Sequence, residues 1–317
     1  MKFAVLSLNP GIDRTLYLGE PMNPGHMNRA VRTVTSQGSK GANVSVVLHR
    51  LGFDVTYYSF TGGLYGKLCE DIIAAEGLKT VYTEAACGIR VNTKVMAPGR
   101  MNTEFNEKGG PVTQAEFEAL TESFLRDEAE VVYMCGSFPQ GVEKTAYRDL
   151  VAVEKSLGRR VILDCDGDAL LNGVQASPDV IKPNTDELIG LLRKAGLCET
   201  LPEDPEQTEG FIAGACGKVA ATYGIGTVLC TMGPKGALGI DGKTGDCFFS
   251  EAAPVELRGF SGAGDTFLAG FGAARYAMRL DMPGSLRYAS ACAGAKIVLE
   301  GTALPDKEGV ERVLALM

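Results

Sequence analysis

The stretch from residue 259 to residue 275, Gly-Phe-Ser-Gly-Ala-Gly-Asp-Thr-Phe-Leu-Ala-Gly-Phe-Gly-Ala-Ala-Arg, carries the strongest indication of how this chain folds and what it binds. The small residues Gly262, Ala263 and Gly264 let the backbone approach a ligand closely. The apolar run after them predicts a helix over residues 265–278. Because the start of a helix presents unpaired N–H groups and the positive end of its dipole, the loop predicts an anion site.

The carboxylate of Asp265 lies inside this predicted anion site. An acid beside bound phosphates repels them, so its presence indicates a chemical task, and accepting a proton from an attacking hydroxyl is such a task. The alternative is structural, because aspartate is favoured as the N-cap of a helix. This segment alone leaves both roles open.

Strand-like and helical segments alternate along most of the chain. The predicted strands are 3–8, 55–60, 131–135, 160–164, 180–182 and 227–231, and the predicted helices are 43–51, 66–76, 143–156, 185–195, 210–223, 265–278 and 285–299. This alternation predicts an α/β fold with a mainly parallel central sheet and helices on both faces. Ligands of such sheets bind beyond the carboxyl ends of the strands. Polar residues follow several of these strands, namely Asn9, Ser137, Asp164, Lys182 and Thr231.

Two regions interrupt the alternation. Residues 15–20 with 28–35, and 90–97 with 102–106, predict short strands with no helix inside either pair. We expect a single domain over residues 1–317, in which strands from about 15–35 and 90–106 form a small β-structured lid over the strand ends. The acidic segment 199–209 is expected to be a solvated loop.

Composition excludes several classes of function. The chain has 317 residues, 45% of them hydrophobic and 22% charged, which is typical of a globular protein with a large core. A net charge of −8 argues against non-specific nucleic-acid binding, and two histidines give poor support for histidine-based catalysis. No segment predicts a signal peptide or a membrane span. The nine cysteines, without a Cys-x-x-Cys pair, are expected to be thiols of a cytoplasmic protein.

A polar cluster opens the predicted helix at residue 43. Gly38 allows close backbone approach, Lys40 supplies positive charge, and Asn43 can hydrogen-bond a hydroxyl as donor or acceptor. Asp13 accepts hydrogen bonds when ionised, which suits vicinal sugar hydroxyls. Arg29 and Arg90 lie in the predicted lid, and a guanidinium matches a phosphate group. Taken singly, each residue also fits an ordinary surface or turn position, but together with the phosphate-type loop they favour a sugar-phosphate site.

The segment 182–187, Lys-Pro-Asn-Thr-Asp-Glu, leaves a strand and enters a helix. Lys182 can reach a phosphate, and Asn184 and Glu187 lie on the same side of the first helical turn. A carboxylate near phosphates indicates Mg²⁺ held through water. The alternative is a capping box, with Asn184 as N-cap and Glu187 at the third helical position. Both roles can hold together.

A glycine-containing turn follows the predicted strand 227–231. Thr231-Met-Gly-Pro-Lys-Gly236 is a plausible place for a nucleotide ribose or phosphate. The chain contains no Gly-x-x-x-x-Gly-Lys-Ser/Thr segment, which argues against a P-loop enzyme.

Five motifs, in the same order, resemble those of the PfkB carbohydrate kinases of the ribokinase-like superfamily. They are 8–13 (Leu-Asn-Pro-Gly-Ile-Asp), 38–44 (Gly-Ser-Lys-Gly-Ala-Asn-Val), 135–142 (Cys-Gly-Ser-Phe-Pro-Gln-Gly-Val), 182–187 and 262–266 (Gly-Ala-Gly-Asp-Thr). The resemblance covers nearly the whole chain. Residues 28–30 and 90–92 further resemble the branch that holds 1-phosphofructokinase, tagatose-6-phosphate kinase and the minor 6-phosphofructokinase. Ser39 departs from the usual glycine, which bears on substrate preference.

The resemblance implies a role for each motif. Asp265 would be the catalytic base, and Gly262, Ala263 and Gly264 the anion hole. The sugar phosphate would contact Asp13, Arg29, Gly38, Lys40, Asn43, Arg90 and Ser137. The ATP side would include Lys182, Thr231, Gly233 and Gly236, and Asn184 with Glu187 would organise Mg²⁺. A homodimer through the lid is also implied.

The expected activity is therefore ATP-dependent phosphorylation of a ketohexose phosphate to a bisphosphate, with fructose 1-phosphate favoured as acceptor. The alternatives are a tagatose-6-phosphate kinase or 6-phosphofructokinase, a kinase for an unphosphorylated sugar or nucleoside, and a non-catalytic sugar-phosphate sensor. Arg29, Lys40 and Arg90 argue against a neutral acceptor, and an intact Asp265 argues against the sensor.

Overall fold

The computed structural model describes residues 1–99, 103–198 and 208–317. Its strands are β1 (Lys2–Ser7), β2 (Gly11–Leu18), β3 (Ala30–Gln37), β4 (Asp54–Thr61), β5 (Lys79–Glu84), β6 (Arg90–Met96), β7 (Thr103–Asn106), β8 (Val131–Cys135), β9 (Arg160–Asp164), β10 (Val180–Ile181), β11 (Thr227–Thr231), β12 (Ala237–Asp241) and β13 (Cys247–Ser250). Its helices are α1 (Lys40–Arg50), α2 (Gly63–Ala74), α3 (Gln114–Leu125), α4 (Ala146–Ser156), α5 (Gly167–Gly173), α6 (Thr185–Lys194), α7 (Thr208–Tyr223), α8 (Ala263–Gly272), α9 (Met282–Ile297) and α10 (Lys307–Leu314).

The central sheet has the strand order β13-β12-β11-β10-β9-β8-β1-β4-β5. From β11 to β5 every neighbouring pair is parallel, whereas β12 and β13 add an antiparallel edge. The predicted α/β fold with a mainly parallel sheet is confirmed. Parallel strands buried on both faces carry nearly continuous apolar sequence, as Phe3–Leu6 does in β1.

Two hydrophobic clusters cover the two faces of this sheet. Alternate residues of β1 divide between them, with Phe3 and Val5 in one cluster and Ala4 and Leu6 in the other. The first cluster includes residues of α1, α8, α9 and α10, and the second includes residues of α3 to α7. Helices therefore lie on both faces. No helix in the described ranges is long and apolar enough to cross a bilayer.

A second sheet of four strands, the lid sheet, has the order β3-β2-β6-β7. Its central pair, β2 and β6, is parallel, with Asp13 opposite Asn92 and Thr15 opposite Lys94. The outer pairs are antiparallel. The strands begin and end within a few residues of the predicted 15–35 and 90–106, of which residues 100–102 lie outside the described part.

The structure corrects several predicted elements. The predicted helix 265–278 starts two residues earlier and its α-helical part ends at Gly272, followed by a π-helical turn over Ala273–Ala277. The predictions omit β5, β12, β13, α3, α5 and α10. Residues 199–207 of the predicted acidic loop lie outside the described residues, and helix α7 begins at Thr208.

Candidate active site

The glycine-rich loop enters helix α8 through Gly262, which is its N-cap residue. Gly262 has φ +86°, a left-handed conformation that favours glycine, and a Cβ there would lie 3.2 Å from the Asn43 amide nitrogen. The helix begins at Ala263, so Asp265 is its third residue. The alternative role of Asp265 as N-cap is therefore wrong, and its side chain is free for another task. Residues Gly262–Gly264 are called the phosphate loop below.

The carboxylate of Asp265 is buried, with 8% of the residue exposed. Its Oδ2 accepts a hydrogen bond of 2.6 Å from Nδ2 of Asn43, at the start of α1. Asn43 Oδ1 in turn accepts a hydrogen bond from Gln37 at the end of β3. The position of Asp265 is thus fixed by residues more than 200 positions away in the sequence.

An ion cluster lies beside Asp265 and consists of Lys40, Asp164 and Lys182, of which Asp164 and Lys182 are buried. Oδ1 of Asp164 lies 3.3 Å from Nζ of Lys40 and 3.5 Å from Nζ of Lys182. The Asp164 side chain has no exposed surface, and its Oδ2 has no hydrogen-bond partner within the described ranges. A Cβ at Gly264 would lie 3.4 Å from Nζ of Lys182, so this ammonium group adjoins the phosphate loop.

Burial and neighbouring charges shift the pKa values of the two buried acids, Asp164 and Asp265, in opposite directions. Burial alone would raise the pKa of Asp164, but the ammonium groups of Lys182 and Lys40 bring this pKa below its usual value. Burial raises the pKa of Asp265, and the negative charge of Asp164 raises it further, although both lysines and Asn43 oppose the shift. A carboxylate of raised pKa is a stronger base than an ordinary aspartate, as general-base chemistry needs.

Asn184 and Glu187 form a capping box at the start of α6. Asn184 Oδ1 accepts from the Glu187 N–H at 2.8 Å, and Glu187 Oε2 accepts from the Asn184 N–H at 2.9 Å. The capping box that the sequence predicts as an alternative to a Mg²⁺ site is therefore present. The other carboxylate oxygen of Glu187, Oε1, lies 3.7 Å from Nζ of Lys40, which places this acid next to the ion cluster.

The predicted nucleotide turn lies beside this capping box. Thr231 ends β11, and its N–H donates to the Pro183 carbonyl at 3.1 Å. Gly233 and Gly236 have φ values of +59° and +99° in the turn that follows. A Cβ at Gly236 would overlap the Ser250 carbonyl, so this turn requires glycine.

Asp13 lies in β2 and is held by two side chains from β6. Asn92 Nδ2 donates to Asp13 Oδ1 at 2.9 Å, and Lys94 Nζ lies 2.6 Å from Asp13 Oδ2. A Cβ at Gly38 would overlap the Asp13 carboxylate, which explains why glycine is needed there. The structure thus brings Asp13 and Gly38 together, as the predicted sugar site requires.

The predicted phosphate contacts lie in three different settings. Arg90, in β6, donates from Nη1 to the Glu107 carbonyl at 2.9 Å, while its buried Nε has no partner in the described part of the chain. Ser137 Oγ accepts from Asn9 Nδ2 at 3.0 Å, beyond the carboxyl ends of β1 and β8. Arg29 is exposed just before β3.

Two residues that the sequence did not assign to the site lie within it. The sequence predicts Asp164 only as one of several polar residues at strand ends, and it predicts no role for Lys94. A signal for Lys94 existed, because residues 90, 92 and 94 share one face of a strand. Its partners Asp13 and Ser261, however, are distant in sequence.

Comparison with known sequences identifies relatives over nearly the whole chain. A family model described as pfkB family carbohydrate kinase matches residues 7–308. A 1-phosphofructokinase from Rhodobacter capsulatus is 30% identical over 97% of this chain and 94% of its own length. A 1-phosphofructokinase from Bacillus subtilis (strain 168) is 29% identical over 84% of this chain and 83% of its own length.

Among solved structures, phosphofructokinase-2 from Escherichia coli in complex with substrates and products superimposes with a TM-score of 0.89. The alignment covers 99% of each chain at 24% sequence identity, which establishes a shared fold. A ribokinase from Thermotoga maritima matches with a TM-score of 0.77 at 18% identity, over 99% of each chain. The fold described above is therefore ribokinase-like.

Proposed function

Because this chain belongs to the PfkB family of carbohydrate kinases, we propose that it transfers the γ-phosphoryl group of ATP to fructose 1-phosphate, forming fructose 1,6-bisphosphate. Membership of the family makes the chain a phosphotransferase that acts on a sugar hydroxyl. The relatives named 1-phosphofructokinase support the choice of acceptor.

The observation that carries the proposal is the setting of Asp265. This buried carboxylate has a raised pKa, lies in the first turn of α8 and is oriented by Asn43. In the proposed reaction Asp265 accepts the proton of the acceptor hydroxyl as the hydroxyl oxygen attacks the γ-phosphorus and ADP leaves. N–H groups at the start of α8 and the ammonium of Lys182 stabilise the negative charge that develops on the transferred group.

Side chains of the sugar side favour an acceptor that already carries a phosphate. Arg90 presents a buried Nε that has no partner among the described residues, and Lys40 adds a second cation near the proposed base, paired with Asp164. A guanidinium with an unused donor is suited to a phosphate oxygen, whereas a neutral sugar offers no charge to compensate its burial.

Mg²⁺ fits the oxygen donors near the ion cluster. Glu187 has one carboxylate oxygen outside its capping box, and Asp164 has a buried oxygen without a partner in the described ranges. Because no group of three or more His, Cys, Asp or Glu in those ranges could hold a metal, we expect Asn184 and Glu187 to contact the hydrated ion through water. The bound ion would neutralise charge on the phosphates of ATP.

The lid sheet supports a proposal about assembly. Val31 and Phe105 are exposed on it, and Phe105, opposite Thr93, faces away from the side that carries Lys94. We propose that this outer face forms a homodimer, and that the inner face closes over the sugar and excludes water. Sedimentation at micromolar concentration should give the mass of two chains, and a single 33.5 kDa species would contradict the dimer.

The proposed acceptor is tested by measuring ADP release with a panel of compounds. Fructose 1-phosphate should give the largest kcat/KM among fructose 1-phosphate, fructose 6-phosphate, tagatose 6-phosphate and the free hexoses. A higher value with either other sugar phosphate would reassign the acceptor within the class. Turnover with free sugars alone would contradict the phosphate site, and no turnover with any compound would contradict the kinase proposal.

Arg90→Ala should mainly weaken binding of the sugar phosphate. Loss of a hydrogen bond to a charged group costs about 1.5–3 kcal/mol, so KM for the sugar phosphate should rise roughly 10- to 100-fold. Initial-rate measurements with each substrate varied in turn provide the check. A rise in KM for ATP with no change in KM for the sugar phosphate would show that Arg90 belongs to the ATP site and not to the sugar-phosphate site.

The acid side of the pH profile should report the base. Because the pKa of Asp265 is raised, the carboxylate becomes protonated, and therefore inactive, at a higher pH than an ordinary aspartate of pKa about 3.9. Because kcat/KM reports the ionisation of the free enzyme, kcat/KM should fall with decreasing pH, with an apparent pKa above that value. An acid limb at or below 3.9 would contradict this role.

A further inference from the structure

Lys94 connects the lid sheet to the segment that precedes the phosphate loop. Its side chain is 11% exposed, and Nζ lies 2.6 Å from Oδ2 of Asp13. The same nitrogen donates a hydrogen bond of 2.6 Å to Oγ of Ser261, the residue before Gly262. One ammonium group therefore contacts the proposed sugar-binding carboxylate and the residue that precedes the phosphate loop.

Continuous packing does not account for this connection. A cavity of about 220 Å³ lies beside it, with walls from both the lid and the 257–261 segment, among them Thr15, Met96, Glu104 and Phe260. Because the two segments leave open space between them here, their relative position depends on the contacts that cross it, such as the Lys94 bridge. Stability alone would not require an ion pair in this place, since desolvating a lysine costs free energy that apolar packing avoids.

Strand β6 places three polar residues in a row on one face. Arg90, Asn92 and Lys94 alternate along the strand, so Arg90 and Lys94 are about 13 Å apart along the backbone. Arg90 marks the end of the row expected to bind the existing phosphate of the acceptor. Lys94 marks the opposite end, next to Ser261 and hence to the loop where phosphoryl transfer occurs.

We propose that Lys94 is a positioning residue that holds the Asp13 carboxylate in register with the phosphate loop. This inference rests on the proposed function, because Asp13 is the group expected to bind the acceptor hydroxyls. A sugar held by Asp13 is thereby placed at a fixed distance from the start of α8. Sliding of the lid relative to the loop would move the reacting hydroxyl away from Asp265 and the γ-phosphate.

Lys94→Met removes both contacts while keeping an apolar side chain of similar length. We expect kcat/KM for the sugar phosphate to fall about 10²-fold, the effect of a misplacement of about 1 Å, with most of the loss in kcat. KM for ATP should change less than about twofold, because the residues proposed to bind ATP lie at or after the ends of β10 and β11, not in the strands of the lid sheet. Lys94→Arg should recover part of the loss, since a guanidinium can also bridge a carboxylate and a hydroxyl.

Ser261→Ala is the second variant, because it leaves the buried ion pair intact and tests the loop contact alone. Loss of this one hydrogen bond should lower kcat about fivefold without a comparable rise in KM for either substrate. An unchanged kcat in Ser261→Ala, with the protein folded, would overturn the proposal even if Lys94→Met does not fold.

Lys2→Met is the matched control. Lys2 Nζ lies 2.8 Å from the buried Asp127, so this variant also removes a lysine from a buried carboxylate, but at the opposite end of β1 from the cleft. It should lose stability and retain kcat/KM. Equal losses of kcat/KM in Lys2→Met and Lys94→Met would show that reduced folding stability explains the loss, and this would overturn the proposed role of Lys94. Wild-type protein that phosphorylates no sugar phosphate would refute the proposed function, whereas active wild type with an unaffected Lys94→Met would refute this inference alone.

Discussion

Asp265→Asn is expected to lower kcat by about 10²- to 10⁴-fold, which is the range that a general base contributes. The asparagine has nearly the same shape and can still accept a hydrogen bond from Asn43 through its amide oxygen. It cannot take the proton of the acceptor hydroxyl. Substrate affinities should therefore change little, and the loss should lie in kcat in a steady-state assay of ADP release.

The same variant should be at least as stable as the wild type at neutral pH. A raised pKa means that folding disfavours the charged form of Asp265, so replacing the charge with a neutral amide removes a cost. Asp306→Asn serves as the control, because it makes the same change at the N-cap of α10 on the surface. Turnover of Asp265→Asn within about threefold of the wild type would remove Asp265 from the role of base.

Of all the substitutions considered, Asp164→Asn should cause the largest loss of folding stability. The substitution removes the acid that pairs with Lys182, whose side chain is 5% exposed, and it also removes one of the acids that pair with Lys40, the other being Glu187 among the described residues. Breaking a buried ion pair from one side costs about 3–5 kcal/mol. The free energy of unfolding, measured with urea, should fall by that amount, and kcat should fall as well because Lys182 adjoins the phosphate loop.

Asp168→Asn is the control for this loss. Asp168 also bridges two lysines, Lys144 and Lys194, but its side chain is 41% exposed, so the effect on stability should be far smaller. Because folding lowers the pKa of Asp164, its contribution is present above the unfolded-state pKa and is lost as the pH falls through the folded-state pKa. The gap in stability between wild type and Asp164→Asn should accordingly narrow in acid. Equal losses in Asp164→Asn and Asp168→Asn would contradict the role given to burial.

The parallel part of the sheet was predictable, but its edge was not. Strands such as Phe3–Leu6 are continuous apolar runs separated by helical periodicity, and that alternation appears in the sequence itself. In β12 the apolar run is interrupted by Gly239, and in β13 it is only three residues long; both strands belong to the sheet because β12 pairs antiparallel with β11 and β13 with β12. Pairing of this kind is set by tertiary contacts that local sequence does not report.

Candidate site residues could be proposed from the sequence where they stand in motifs, but not where contacts join distant segments. Gly262–Gly264 and Asp265 are adjacent in sequence, and the carboxylate in a glycine-rich loop is itself a signal. The Lys94 bridge joins three segments, of which Asp13 and Ser261 are separated by 248 positions (261 − 13). Nothing in the local sequence of β6 indicates which carboxylate its lysine will meet.

The parallel pairing of β2 with β6 has a consequence for how such proteins diversify. Parallel strands need a crossover, and here the crossover runs through α1, β4, α2 and β5, which are parts of the catalytic body. The lid sheet therefore cannot be exchanged as one contiguous segment, and we expect it to assemble late, after the central sheet and its helices have folded. We therefore expect substrate preference in such a fold to change through replacement of single side chains rather than through exchange of the whole lid sheet.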